Sequence, residues 1–208
     1  MRKRETEVKL KVSDIEAMRD RLQRLGLQLR ERRSLEDNTL FDTPDRALRK
    51  VRSILRLRRY AGKWIVTFKG TPDADPLYKS RLELESAVEN PEAIRLLFEA
   101  LGFRPVFRYQ KYRSHYVPHG TAASRKASFE VALDETPIGN FLEIEGSRRS
   151  IDSMARQLGY ERSDYSTASY GALYLEDCRK RNIAPGDMVF PPKSRGSKRN
   201  LAKRSARA

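Results

Sequence analysis

The stretch Glu5-Thr6-Glu7-Val8-Lys9-Leu10-Lys11, close to the N-terminus, decides the fold. Its charged residues alternate with threonine, valine and leucine, and this two-residue period is typical of a β-strand. Because successive strand residues point to opposite sides, one side carries only carboxylates and ammonium groups, while the other is mostly apolar. The stretch therefore predicts a strand that separates an ionic space from an apolar core.

The same two-sided pattern recurs in most of the later segments that have strand character. These segments span residues 54–59, 63–69, 78–85, 107–117, 128–134 and 141–145, and residues 27–41 also look extended. Their charged sides carry Arg56, Arg58, Lys69, Arg81, Glu83, Glu85, Lys111, Arg113, Glu130, Asp134, Glu143 and Glu145. With the first strand, the ionic faces hold eight basic and eight acidic side chains.

Four helices are predicted between and after these strands. The first follows a capping box of Ser13 and Glu16 and ends at Gly26. The second begins at Asn90-Pro91, and its apolar stripe is formed by Leu96, Leu97 and Leu101. The other two span about residues 151–158 and 168–178. This order predicts an α+β protein with helices outside, and about eight antiparallel strands are enough to close a small β-barrel.

The ionic faces have two interpretations. They are the solvated side of an open antiparallel sheet, which is the usual arrangement, or they line the interior of a closed barrel. Paired carboxylates and paired guanidinium groups favour the second, because a solvated face usually mixes uncharged polar residues with lysine. Charges inside a barrel need opposite charges, metal ions or an ionic ligand. The bases suit several phosphate groups, and the carboxylates suit Mg²⁺ or Mn²⁺.

The motifs themselves resemble a known family. The ExExK signature at residues 5–9, followed in order by LRLR (55–58), TFKG (67–70), RLELE (81–85), KYRS (111–114) and FLEIE (141–145), is similar to the CYTH family of triphosphate tunnel metalloenzymes. That family includes class IV adenylyl cyclases, thiamine triphosphatases and inorganic triphosphatases. The resemblance implies a closed eight-stranded antiparallel tunnel, with helices packed outside and a substrate triphosphate inside.

The resemblance also implies roles for individual residues. Lys9, Arg58 and Arg113 are expected to act in catalysis. The triphosphate is expected to contact Lys9, Lys11, Arg56, Arg58, Lys69, Arg81, Lys111 and Arg113. The divalent cation, Mg²⁺ or Mn²⁺, is expected at Glu5, Glu7, Asp134, Glu143 and Glu145, and a second cation or an oriented water at Glu83, Glu85 and Glu130. The sequence departs from the family at Ala168, where a basic residue often precedes Ser-Tyr.

Three functions fit these residues. The first is metal-dependent phosphoryl transfer to water, which is triphosphate hydrolysis. The second is formation of cyclic AMP from ATP, as in class IV adenylyl cyclases, because the same clamp serves both reactions. The third, from a different class, is a binding module for polyphosphate or RNA without turnover. Hydrolysis is the preferred prediction, since water is the simpler nucleophile.

Charge is distributed unevenly along the chain. The net charge is +15, but residues 179–208 alone carry +9, with ten Lys or Arg against one acid, Asp187. Their loss of periodicity predicts a disordered basic tail that contacts polyanions, so residues 1–178 are expected to form the domain. Deleting residues from Arg179 onward is therefore expected to leave turnover of a small triphosphate unchanged.

Composition excludes several classes of site. Cys178 is the only cysteine, so neither an intramolecular disulfide nor a thiolate metal site is expected. His115 and His119 are the only histidines and look like surface residues rather than a general base. No stretch approaches the length of a membrane span, and the basic N-terminus has no apolar segment behind it. We expect a cytoplasmic protein without membrane contact, and a homodimer remains open.

Overall fold

The computed structural model describes residues 2–120 and 129–192, and eight strands of these residues close into a β-barrel. The strands are β1 Arg2–Val12, β2 Leu27–Asp42, β3 Ile54–Tyr60, β4 Lys63–Lys69, β5 Lys79–Val88, β6 Arg104–Pro118, β7 Phe129–Thr136 and β8 Gly139–Gly146. Their order around the barrel is β1-β5-β4-β3-β2-β6-β7-β8, with β8 returning to β1 and every pair antiparallel. The predicted fold, α+β with a closed eight-stranded antiparallel barrel, is confirmed.

The helices connect the strands and flank the barrel. They are α1 Ile15–Arg24, α2 Ala47–Lys50, α3 Pro91–Ala100, α4 Arg148–Gln157 and α5 Tyr170–Arg181. None of the helices within the described ranges has the length and apolarity needed to cross a membrane. The predicted capping box at Ser13 is wrong by one residue. Asp14 caps α1 instead, and its Oδ1 accepts the amide hydrogens of Glu16 and Ala17 at 3.0 Å each.

The main hydrophobic core lies outside the barrel, between the strands and two helices. Val8 and Leu10 of β1 are fully buried there, together with Leu22 of α1 and Ile151 and Met154 of α4. The apolar side of the strands therefore faces the helices, and the ionic side faces inward. This decides between the two interpretations of the ionic faces, because closure turns them into the walls of a lumen.

The apolar stripe predicted for α3 is wrong. Leu96, Leu97 and Leu101 are 52%, 53% and 65% exposed. Phe98 is buried instead, and it packs edge to face against Phe41. Apolar residues occur on both sides of this helix, so periodicity alone could not show which side meets the barrel. The larger aromatic side chain buries more apolar area and sets the orientation.

Because the hydrophobic core lies outside the barrel, two leucine substitutions on the strands are expected to lower the free energy of unfolding by different amounts. Leu142→Ala in β8 is expected to lower the free energy of unfolding by about 2–5 kcal/mol, because it empties a fully packed site. Leu84→Ala in β5 is the matched control and should cost at most about 0.5 kcal/mol. Leu142 is 0% exposed and Leu84 is 39% exposed. Chemical denaturation measures both, and equal losses would contradict the outward placement of the core.

The C-terminal segment departs from the sequence-based boundary. The predicted division after Cys178 falls inside α5, which continues to Arg181. Met188, placed by the sequence in a disordered tail, is only 1% exposed and packs against buried aromatic residues. The apolar run Met188-Val189-Phe190 is too short to show a periodicity, so the sequence did not reveal this contact. Residues 193–208, the rest of the predicted tail, lie outside the described residues.

Candidate active site

The lumen collects charged side chains from every strand. Because the ionic faces turn inward, residues distant in sequence come together. The buried polar side chains of the lumen are Glu5, Glu7 and Lys9 of β1, Glu36 and Asn38 of β2, Arg56 of β3, Thr67 and Lys69 of β4, Lys79, Arg81 and Glu83 of β5, Lys111 and Arg113 of β6 and Asp134 of β7. Arg58 and Glu143 join them with only slightly greater exposure.

One cluster of ion pairs lies between β1, β6, β7 and β8. Asp134 accepts hydrogen bonds from Nε and Nη2 of Arg113 at 2.6 and 2.5 Å, and from Nζ of Lys111 at 3.1 Å. Glu143 accepts from Nζ of Lys9 at 2.5 Å and also contacts Arg113. Both oxygens of Asp134 are thus occupied by cationic donors. Asp134 therefore lies with the basic residues, although the resemblance assigned it to the cation.

A second cluster lies where β1 meets β4 and β5. Nζ of Lys69 is 2.6 Å from Glu5 and 3.0 Å from Glu83, and Nζ of Lys79 is 2.7 Å from Glu7. Burial and the neighbouring charge of Glu7 raise the pKa of Glu5 to about 7, despite the attraction of Lys69. Burial also opposes ionisation of Glu7, but Lys79 and the other nearby lysines outweigh it and lower its pKa.

A third cluster surrounds the two arginines of β3. Glu36 is completely buried and lies 3.4 Å from Arg58, while Glu85 lies 3.2 Å from Arg58 and 3.5 Å from Arg56. Glu85 also accepts a hydrogen bond from Thr67 at 2.9 Å. The sequence analysis did not select Glu36. The signal was present, because Glu36 and Asn38 alternate on one side of β2. That strand carries charges on both sides, however, so it does not look two-sided.

Several buried donors of the lumen have no acceptor among the described residues. Within residues 2–120 and 129–192, the buried Nε atoms of Arg56, Arg58 and Arg81 have no acceptor, and the buried Oδ1 of Asn38 has no donor. An unsatisfied buried polar atom costs about 1–3 kcal/mol, so such atoms are rare unless a ligand or water completes them. Three guanidinium groups with unused donors inside one lumen are suited to an anion that has several oxygen atoms.

A cavity of about 40 Å³ opens beside these clusters, and we call it the acid-lined cavity. Its walls are Glu5, Glu7, Arg113, His115, Glu130, Ala132, Glu143 and Glu145. This volume has room for a cation with a water molecule, and carboxylate oxygens are the donors that Mg²⁺ and Mn²⁺ prefer. The donor types therefore fit a hard divalent cation.

The arrangement of these carboxylates is set by lysines. Within residues 2–120 and 129–192, no group of three or more acidic, histidine or cysteine side chains has the geometry of a metal site. Glu5, Glu7 and Glu143 each pair with a lysine instead. Glu130, at the rim, pairs with Arg30 at 2.6 Å. A cation at this position would have to displace these lysine contacts.

Two residues lie elsewhere than expected. Lys11 shares the sequence alternation of Lys9 but is exposed at the end of β1, so its position does not support a place in the phosphate clamp. The physical reason is that β1 is longer than the lumen is deep. His115 is not a surface residue, since it lines the acid-lined cavity. Burial and the charge of Arg113 lower the pKa of His115, which keeps the imidazole neutral at pH 7.

Tyr170 is a lumen residue that the sequence analysis missed. Its hydroxyl donates to Asp134 at 2.5 Å, and its ring lies under Nζ of Lys9 and of Lys111 at 4.4 and 4.7 Å from the centroid. Burial and Asp134 raise the pKa of Tyr170 well above its usual value, so the hydroxyl stays protonated. Ser169 caps α5 and thereby fixes the helix start, which carries Tyr170 into the barrel end.

Comparison with known proteins assigns this barrel to a family. The family model of the CYTH domain matches residues 3–170. A Methanocaldococcus jannaschii protein named "putative adenylate cyclase" is 32% identical over 155 residues, which cover 74% of this chain and 83% of that protein. The PH1819 protein of Pyrococcus horikoshii superposes with a TM-score of 0.66 at 26% identity, over 83% of this chain and 99% of that chain.

A plant protein shares the same fold at lower identity. The structure of a Hippeastrum protein, named a "putative adenylyl cyclase" and said to have a dominant triphosphatase activity, gives a TM-score of 0.60 at 20% identity, over 85% of this chain and 96% of that chain. At this identity the likeness concerns the fold alone. The CYTH match covers all eight strands and reaches the start of α5. The chain belongs to the CYTH-domain family.

Proposed function

We propose that the protein is a divalent-metal-dependent enzyme that binds a triphosphate in the barrel lumen and hydrolyses it. The observation that carries this proposal is the set of buried Nε donors on Arg56, Arg58 and Arg81, which have no acceptor in the part of the chain that the structure describes. They lie in a lumen whose walls also bear lysines from four strands. An anion with many oxygen atoms satisfies these donors, and a triphosphate is the anion for which this family is known.

The basic residues would act by position and charge. Phosphoryl transfer needs little covalent chemistry from the protein, because the barrier falls when fixed donors neutralise charge on the phosphate oxygens. Arg56 and Arg58 share one face of β3, so both guanidinium groups can contact the same chain of phosphates. Their acidic partners Glu36 and Glu85 hold the guanidinium planes in place before the substrate arrives.

The carboxylates of the acid-lined cavity would hold the cation. Glu5, Glu7, Glu143 and Glu145 present their oxygens to this space. A bound Mg²⁺ or Mn²⁺ would supply Lewis acidity and positive charge at the phosphate oxygens. When a carboxylate turns to the cation, its lysine partner becomes available for phosphate. Lys9 would thus leave Glu143 and contribute its ammonium group to the triphosphate.

Hydrolysis and cyclisation require different contents of the lumen. Hydrolysis needs a water beside the cation, and the acid-lined cavity of about 40 Å³ has room for both. Cyclisation needs the ribose of ATP beside the cation, and the same basic residues would hold the phosphates in either reaction. The name of the Methanocaldococcus jannaschii relative favours the second candidate, an adenylyl cyclase. We take hydrolysis as the primary proposal, because water is the simpler nucleophile.

A substrate profile tests this choice directly. The purified chain would be incubated with inorganic tripolyphosphate, thiamine triphosphate or ATP, with Mg²⁺ or Mn²⁺, and both phosphate and cyclic AMP would be measured. We expect phosphate release that requires the cation and stops on addition of a chelator. Cyclic AMP as the main product would select the cyclase. Tight tripolyphosphate binding without any product would select the non-catalytic binding module.

The raised pKa of Glu5 predicts a pH-dependent cation affinity. A carboxylate must lose its proton to bind a cation, and the pKa of Glu5 is raised to about 7. Affinity for Mn²⁺ is therefore expected to weaken as the pH falls from about 8 to about 6, with proton release on binding. Calorimetry in buffers of different ionisation enthalpy measures the protons released. The Glu5→Gln variant is the control and should release fewer, whereas equal release would contradict the assignment.

A further inference from the structure

We propose that residues 186–190, which we call the C-terminal strap, are a positioning element of the site. In this proposal the buried Met188 closes one end of the lumen and holds Tyr170 against Lys9 and Lys111. The inference deepens the proposed function and rests on it only in taking these two lysines as phosphate-binding groups. The match to the CYTH model ends at residue 170, so the strap lies beyond the matched region.

The strap fills an unpaired edge of the barrel wall. Strand β6 runs from Arg104 to Pro118, but β7 pairs with it only from Tyr112 onward. On the free edge below that point, the amide of Met188 donates to the carbonyl of Arg108 at 3.0 Å, and the amide of Gln110 donates to the carbonyl of Met188 at 2.8 Å. The strap therefore continues the wall as one parallel bridge, which covers a strand edge that would otherwise be open.

Side chains secure both ends of the strap. Oδ1 of Asp187 accepts the amide hydrogen of Arg108 at 2.8 Å, and Oε1 of Gln110 accepts that of Phe190 at 3.3 Å. The ring of Phe190 lies 5.1 Å from the ring of Tyr112. These contacts alternate between the strap and β6, so they fix the register of the strap and hence the position of the residue at its centre.

Met188 sits at the centre of an aromatic cluster that reaches the charged lumen. It packs with Tyr109, Phe141 and Tyr170, all of them buried. The hydroxyl of Tyr109 accepts from Nη1 of Arg56 at 3.4 Å. Methionine is flexible and polarisable, so it fills an irregular space between rings closely. The aromatic cluster therefore contacts Asp134 through Tyr170 and Arg56 through Tyr109. It lies at the end of the barrel opposite Glu130.

Tyr170 links the aromatic cluster to Lys9 and Lys111. Its ring carries both ammonium groups on its faces, and its hydroxyl holds Asp134, which in turn holds Lys111 and Arg113. Without the Met188 side chain, the buried cluster that contains this ring loses part of its packing. The ring would then shift and admit water at this end, so the lysines would lose their fixed place and the local charge interactions would weaken.

Two pairs of variants test the strap. A chain ending at Arg181 lacks it, and a chain ending at Pro192 is the reference that keeps it. In the reference chain, Met188→Ala removes the side chain but leaves the backbone bridges, and Met188→Leu restores the volume. None of the Met188 substitutions changes charge, so a loss of polyanion affinity in them reports position rather than the number of cations.

The measurements are the dissociation constant for tripolyphosphate by calorimetry, KM and kcat for its hydrolysis, and hydrogen exchange at Gln110 and in α5. Both the shorter chain and Met188→Ala are expected to raise the dissociation constant and KM by about tenfold or more, since small displacements of binding groups have large effects. Met188→Leu should stay within about twofold of the reference. Exchange should accelerate in the shorter chain.

The outcomes separate this inference from the proposed function. If the reference chain hydrolyses tripolyphosphate and both strap variants match it in KM and affinity, the strap inference is overturned and the proposed function stands. If the reference binds tripolyphosphate without hydrolysis and Met188→Ala weakens that binding, hydrolysis is refuted and the strap is supported. Circular dichroism and thermal melting show whether the shorter chain folds, and Met188→Ala decides the matter if it does not.

Discussion

Glu7→Gln is expected to lower kcat/KM for tripolyphosphate by about a hundredfold or more while leaving the barrel folded. The carboxylate lines the acid-lined cavity and is buried, so its removal takes away one negative ligand of the proposed cation site. Glutamine keeps the size and still accepts a hydrogen bond from Lys79, which an alanine would leave buried and unpaired. The same substitution should weaken Mn²⁺ binding in calorimetry.

The control for this variant is Glu135→Gln. Glu135 is also an ion-paired carboxylate on a strand, but its partner is Arg33 at 2.7 Å, outside the lumen. It should leave turnover, cation affinity and the melting temperature nearly unchanged, because exposed ion pairs contribute little. Wild-type turnover in Glu7→Gln would refute the cation assignment. Loss of folding in Glu7→Gln would show instead that the pair with Lys79 is structural.

Arg58→Ala is expected to reduce kcat/KM by about two orders of magnitude, as loss of one fixed charged donor typically does. Arg58 is held by Glu36 and Glu85, but its Nε has no acceptor among the residues described by the structure, so its guanidinium group is positioned and still has a donor to offer. Arg58→Lys should restore only part of the activity, because an ammonium group cannot make two parallel hydrogen bonds. Steady-state kinetics with tripolyphosphate measures both variants.

Arg59→Ala is the matched control, since Arg59 follows directly in β3 and its side chain is exposed on the outer face. It should retain nearly full activity. A fully active Arg58→Lys would contradict a bidentate contact with phosphate. Arg113 is expected to matter as much for activity. Arg113→Ala, however, would also remove the guanidinium partner of the buried carboxylates Asp134 and Glu143. Arg58 is therefore the cleaner test of the clamp.

The sequence by itself determined the strands and their two faces, and its prediction of a triphosphate and a divalent cation stays a prediction. The alternation that sets Glu5 and Glu7 apart from Val8 and Leu10 is local, because strand geometry alone decides which side chains share a face. The same argument placed Arg56 with Arg58 and Glu143 with Glu145. If the sheet closes into a barrel, the charges on these faces must line its interior. Local rules therefore predicted which residues line the lumen, with the exceptions of Lys11, Glu36, Asn38, Thr67, Lys79, His115 and Tyr170.

Tertiary structure alone decided which of these residues meet. Asp134 joins Arg113 and Lys111 because the register of β6 against β7 sets Arg113 opposite Asp134, and no pattern within either strand contains that register. Lys11 lies outside because the lumen ends before β1 does. Tyr170 and Met188 enter from the C-terminal segment, whose position depends on the aromatic cluster it covers. Contacts between distant segments depend on pairing across the closed barrel. The two-residue alternation within one strand does not say which residues of the other strands lie opposite.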